Sequence, residues 1–107
     1  MRYLIAVLDD RTNSVTPGEA QAINAFNDKL EAAGHRILAA GLVAPEDGLH
    51  IDNRNGVGLA ETGTSLHTDL YMSGFWIIEA PDDHTAKALA LEASLACNRQ
   101  IDVRRFL

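Results

Sequence analysis

A lone cysteine, Cys97, leaves this chain no partner for an internal disulfide, which suits a reducing compartment. Uninterrupted apolar runs of roughly 18 residues or more are missing as well, so no helix is expected to span a membrane. The apolar run nearest the start, residues 3–8, is cut off by Asp9 and Asp10. It is too short for the core of a signal peptide and no small-residue cleavage site follows it. Positive charge is scarce: nine Lys and Arg stand against fifteen Asp and Glu, for a net charge of −6. Nucleic acid and anionic lipid both need clustered cations, so neither nucleic acid nor membrane is expected as a partner. Aromatic residues make up only 6% of the chain, yet the hydrophobic set reaches 47% and charged residues 22%, which excludes a disordered tail. A chain of 107 residues is long enough for one domain, 1–107, and not for two. A small acidic domain of cytoplasmic location is the expectation.

Residues 2–8, RYLIAVL, form a continuous apolar stretch of strand length, of the kind buried on both faces. Thr16, Pro17 and Glu19 then predict a helix start, with Thr16 as cap, Pro17 in the first turn and Glu19 completing a capping box. Ala20, Ile23, Phe26, Leu30 and Ala33 recur at helical spacing, and Gly34 is expected to end the helix in a left-handed conformation. Residues 35–44 predict a strand, closed by Pro45, with a bulge at Gly41. Asn55-Gly56 lies between residues 49–54 and 57–61 and predicts a hairpin turn with positive φ. After the polar stretch 62–69, residues 73–80 predict a second buried strand. Pro81-Asp82-Asp83 opens a helix whose apolar face is Ala86, Leu89, Ala93 and Ala96, with Asp82 or Asp83 as cap and Asn98 at its end. Residues 100–107 complete the pattern as a strand.

The order β-α-β, hairpin, β-α-β describes a ferredoxin-like α+β sandwich with two helices on one face of an antiparallel sheet. The opposite face of such apolar strands then needs a cover, and a homodimer closing sheet against sheet supplies one.

Across nearly its whole length the chain resembles the YCII-related family, in particular the branch named for an Asp-Gly-Pro-Phe motif. The matching segments are RYLIAVLDD, TPGEAQAINAFNDKLEAAG, Gly41-Leu42 with Pro45, the hairpin, YMSGFWIIEA and IDVRRFL. Gly63, Thr68 and the run Tyr71-Met72-Ser73-Gly74-Phe75-Trp76 are the most specific matches. Thr62-Gly63-Thr64-Ser65 stands where Asp-Gly-Pro-Phe is expected, so of that motif the glycine alone is kept, and His67 stands where a Glu usually follows. A histidine carried on the first helix in another branch of the family has no counterpart within residues 17–33. The resemblance implies a dimeric α/β barrel and cofactor-independent lyase or isomerase chemistry on a small organic acid, cyclic acids included.

Histidine supplies the candidate chemistry. His50-Ile51-Asp52 and His67-Thr68-Asp69 both place a carboxylate two residues after an imidazole, on the same side if the backbone is extended. A carboxylate so placed can fix the imidazole tautomer and raise its basicity, as a general base requires. The His50 triplet is a common one with no third catalytic candidate beside it in the sequence, and it suits a solvated hairpin. His67 lies in the segment of the family's signature motif, among the hydroxyls of Thr62, Thr64, Ser65 and Thr68, which can hydrogen-bond a small polar ligand. His67 and Asp69 are therefore the catalytic candidates, with Thr62 and Ser65 as ligand-binding hydroxyls. Tyr71 and Trp76 suit either a pocket wall or packing. Asp102 and Arg104 share one face of the last strand, where they protect an edge or, for Arg104, orient a charged ligand. His35, His84 and a buried, inert Cys97 suit structural positions. No cofactor and no metal is expected. Two functions stay open: a homodimeric enzyme acting on a small organic ligand, and a non-catalytic ligand-binding or protein-interaction module.

Overall fold

A computed structural model describes residues 1–12, 15–64 and 68–107. The first apolar run becomes strand β1 (Arg2–Asp10), which carries on through Asp9 and Asp10. Helix α1 (Glu19–Ala32) follows, then β2 (Arg36–Gly41), a hairpin of β3 (Leu49–Asp52) and β4 (Leu59–Thr62), β5 (Leu70–Glu79), helix α2 (Asp83–Cys97) and β6 (Gln100–Arg105). The four long strands form an antiparallel sheet in the order β2-β5-β1-β6, while β3 and β4 make a separate two-stranded sheet. Both helices lie on one face of the larger sheet, the expected ferredoxin-like α+β arrangement.

Strand alternation decides which side chains meet the helices. Tyr3, Ile5 and Val7 of β1 and Trp76 and Ile78 of β5 join Phe26 and Leu30 of α1 and the small face of α2 in one buried cluster. Phe26 meets Trp76 edge to face, with ring centroids 5.3 Å apart, and the Trp76 indole N–H donates to Asn27 Oδ1 at 2.6 Å. Ala86, Ala90 and Ala93 let α2 lie close to the sheet. The intervening residues point the other way: Leu4 pairs with Ile77 and Arg104, Ala6 with Phe75 and Asp102, and Leu38 and Ala40 extend this helix-free surface on β2. Gly74 is required here because a Cβ on it would stand 2.9 Å from the Ala40 carbonyl oxygen, so a side chain would push β2 away.

The helix ends follow local chemistry with one exception. At the end of α1, Gly34 takes φ +74, and the His35 N–H reaches the Leu30 carbonyl at 2.8 Å, closing a Schellman turn. Asp82 caps α2 by accepting from the Thr85 N–H at 2.8 Å, and Asn98 ends it with φ +52. The capping box expected at Thr16 does not form. Gly18 is the N-cap, and Thr16 contributes only its carbonyl, to the Glu19 N–H at 3.2 Å. The Glu19 carboxylate goes instead to Arg99, at 3.0 Å, because a cation outbids a backbone amide for it. The β2 irregularity also differs: it falls between Arg36 and Leu38, while Gly41 pairs in register with Gly74. Asn55 and Gly56 have the positive φ expected, inside a turn longer than two residues.

The Tyr3 hydroxyl ties β1 to the start of α2 by donating to Asp83 Oδ1 at 2.6 Å. Burial and then the Asp83 carboxylate push the phenol from 10.0 up to about 12. The folded chain thus keeps a proton that the unfolded chain releases. This contribution to stability is complete below pH 10.0 and is lost as pH rises through about 12. Alkaline titration followed by phenolate absorbance should show one of the two tyrosines ionising together with unfolding, and Tyr3→Phe should remove that step. A Tyr3 phenol that ionises at its ordinary value in the folded chain would contradict the contact.

Candidate functional site

Charged residues follow the buried part of β1 directly, and each is drawn to a different neighbour. Arg11, just past the strand, pairs with Glu46 in the turn Pro45–Asp47, and its guanidinium carbon lies 4.9 Å from the centre of the Tyr71 ring. A hydrogen bond from its own backbone, reinforced by Arg11, holds the Glu46 carboxyl below its usual range. Arg11 and Glu46 line an open depression of about 370 Å³ together with Thr68 and Asp69. The Gly63 N–H donates to the Gly48 carbonyl at 2.8 Å, so the start of the 62–69 segment is docked on the same turn that carries Glu46. Arginine over tyrosine, an acid beside it and a hydroxyl at the rim form a polar corner suited to a small oxygen-bearing ligand.

Behind this corner stands an ion triad. The Arg99 Nε donates to Asp9 Oδ1 at 3.0 Å and its Nη1 to Glu19 Oε1 at 3.0 Å. The same Nη1 reaches the Asn98 carbonyl at 3.0 Å, at the C-terminal end of α2. All three charged side chains are at most 15% exposed. Burial works against the Arg99 charge, but Asp9 and Glu19 outweigh it and hold the guanidinium above its usual value. One side chain thereby joins the end of β1, the start of α1 and the end of α2. Asp9 is the register partner of Tyr71, so the triad fixes the row of the sheet on which the corner is built.

The residues singled out in the sequence divide between two places. Thr62 ends β4 and is exposed; Asp69 is exposed; Thr68 donates its hydroxyl to the Leu70 carbonyl at 2.6 Å; Tyr71 is half-buried on β5. Thr68 and Asp69 line the corner and Tyr71 lies under Arg11, while Thr62 stands at the end of β4. Ser65 and His67 belong to the same segment and lie outside the described residues. Trp76 is elsewhere: it is 4% exposed beneath α1 and committed to Asn27, because its position on β5 pairs with Ile5, on the helix side. Of the two places open to it from the sequence, pocket wall or packing, Trp76 takes packing in the core. Arg104 pairs with Leu4, five residues along β1 from Asp9, which puts it about 17 Å from the Tyr71 row. Asp102 and Arg104 occupy the helix-free face of the edge strand β6.

Other candidates have local partners. Asp52 is held by Arg54 through Nε at 3.0 Å and Nη2 at 2.7 Å, and this pairing lowers its pKa. The carboxylate of the His50 triplet is therefore engaged outside it. His35 Nδ1 meets the Glu79 carbonyl oxygen at 2.9 Å, a structural tie between the exit of α1 and β5. Burial pushes the Cys97 thiol up, as befits an inert core cysteine. Sequence reasoning missed Arg11, Glu46 and the triad. The signal available for Arg11 was its place directly after a buried strand that ends in two acids; nothing local marked Glu46.

The family model of the YCII-related domain matches residues 1–105. Among solved structures, the chain is similar to the 5-chloro-2-hydroxyhydroquinone dehydrochlorinase TftG of Burkholderia phenoliruptrix, in complex with 2,5-dihydroxybenzoquinone. The TM-score is 0.59 at 17% identity, over 100% of this chain and 94% of that one, a likeness of fold. No curated protein matches the chain.

Removing Arg99 leaves two carboxylates facing each other with little solvent. Arg99→Ala should destabilise the fold by about 2–3 kcal/mol at neutral pH in urea unfolding. Arg99→Lys, which keeps a cation near Asp9 and Glu19, should recover part of the deficit. An equal deficit in both variants would show that the charge itself contributes little.

Proposed function

The chain belongs to the YCII-related family, and from that premise we propose that it acts on a small organic acid at the corner formed by Arg11, Tyr71 and the 62–69 segment. The observation that carries this reading is the Arg11 guanidinium, held over the Tyr71 ring by Glu46 and lining one depression with Thr68 and Asp69. A flat, oxygen-rich molecule matches that chemistry: its ring lies against an aromatic wall and its oxygens meet a cation and hydroxyls. The ligand of the dehydrochlorinase of similar fold, 2,5-dihydroxybenzoquinone, is of this class.

The reaction we assign is cofactor-independent lyase or isomerase chemistry. His67 accepts a proton from the ligand. Asp69 orients the imidazole, and Thr62 and Ser65 hydrogen-bond ligand oxygens. Trp76 supports β5 behind the corner. The functional unit is a homodimer that packs one helix-free sheet face on another, with Arg104 and Asp102 turned into the enclosed space. The apolar partners Leu4, Ala6, Leu38, Phe75 and Ile77 on that face support the dimer. A second reading is a binding module without turnover. It is favoured by the exposure of Asp69, which makes no hydrogen bond among the described residues, and by the loss of all but Gly63 from the signature motif.

Absorbance titration with 2,5-dihydroxybenzoquinone and chloride release from 5-chloro-2-hydroxyhydroquinone separate the two readings. Arg11→Ala should weaken binding of the quinone about tenfold. His67→Ala should leave binding within a few-fold and lower turnover about 100-fold or more. Binding without chloride release in the parent chain selects the module, and binding untouched by Arg11→Ala removes the corner from consideration.

Sedimentation at micromolar concentration should give two copies per particle, and Phe75→Lys should give one. A monomeric parent chain would defeat the sheet-to-sheet dimer.

A further inference from the structure

On the far side of the sheet from β2, α2 and the edge strand β6 enclose a groove that the corner does not use. It exists because Ala86 and Ala90 draw α2 in over β1, while no helix covers the outer flank of β6. Its volume is about 600 Å³, within the range of small-molecule sites. Ala86, Ala90, Ile101 and Val103 form an apolar floor, and Leu91, 65% exposed, forms the outer wall. The groove runs from Asp83 to Ser94, about 16 Å along the helix axis, so it is long and narrow rather than round.

Its two ends differ in charge. At the Ser94 end the hydroxyl is turned away, donating to the Arg99 carbonyl at 2.7 Å. At the other end stand two cations, Lys87 and Arg105. Lys87 has no ion-pair partner among the described residues, and Arg105 meets Asp83 only at 3.6 Å with both side chains more than half exposed. Two acids share this end and keep their charge: Asp83 accepts from the Tyr3 hydroxyl and lies near Arg105, and Asp82 caps α2 through the Thr85 N–H. Lys87 is thus the cation of this end that has no counter-ion among the described residues, and it stands beside an elongated apolar trough.

We infer that this groove is a second binding site, for an amphiphilic monocarboxylate of the medium-chain fatty-acid type. The carboxylate lies between Lys87 and Arg105, and the acyl chain lies along Ala90, Ile101 and Val103 against Leu91. Charge complementarity selects one anionic head, and the length and apolar floor select a flexible tail over a compact ring.

Decanoate, titrated into the full chain below its micellar range, should bind at one site per chain by calorimetry and raise Tm. Lys87→Glu should lower its affinity about tenfold, and Leu91→Glu at least as much. Both positions are exposed, so circular dichroism should show the parent fold in each variant. Arg11→Ala should leave decanoate binding unchanged, which separates this groove from the corner. Absence of decanoate binding, or binding in both groove variants as tight as in the parent chain, overturns the proposal. So does a change in sedimentation on Leu91→Glu without a change in decanoate affinity, since the groove would then hold a second copy of the chain.

Discussion

The double pairing of β1, with β5 on one side and β6 on the other, is the constraint from which the rest of the molecule follows. A strand paired along both edges has only its two faces left to dispose of, and their residues alternate with a period of two. Tyr3, Ile5 and Val7 go beneath the helices, whereas Leu4 and Ala6 face the open side. A slip of one residue would exchange these sets and strand Leu4 and Ala6 against the helices. Trp76 is locked to the same register through Ile5, and its bond to Asn27 ties α1 to the sheet. The two faces of the sheet therefore have different tasks. One carries the core; the other is an apolar surface bordered by Asp102 and Arg104 on the edge strand.

The end of β1 has the opposite character. Where apolar residues stop, Asp9, Asp10 and Arg11 take three different partners, and the chain changes from core to site within a few residues. Arg99 supports this end by bonding Asp9 and Glu19 together while meeting the last carbonyls of α2. Its charges are largely hidden, so its strength comes from being satisfied on several sides at once rather than from any single pair. Arg11 stands farther out, in a wetter setting, where a guanidinium over an aromatic ring remains able to meet a ligand. Rigidity behind and exposure in front is the usual division in a site built at the end of a strand.

Much of the fold was legible in the sequence because its determinants are local. The 3.6-residue spacing of Ile23, Phe26 and Leu30, the glycine at 34, the Asp82 cap and the Asn98 stop each act within a few residues, and each is found in the structure. Asn55-Gly56 likewise takes positive φ in the hairpin. The site was legible in part. Thr68, Asp69 and Tyr71 meet at one corner because they are neighbours in the chain. Trp76 stayed open between two places for a physical reason: an indole serves a pocket or a core equally well, and strand register decides between them.

The sequence by itself determined the order of elements, the identity of their apolar faces and the ferredoxin-like arrangement, since periodicity and end signals carry that information without reference to distant residues. Only the tertiary structure decided which charges meet. Glu19 was free, on local grounds, to close a capping box with Thr16, and it turned to Arg99, 80 residues away. Arg99 also reaches Asp9 across 90 residues, and Arg11 finds Glu46 across 35. A charged side chain takes the strongest partner that folding brings within reach, and that partner is set by strand register and helix packing rather than by spacing along the chain.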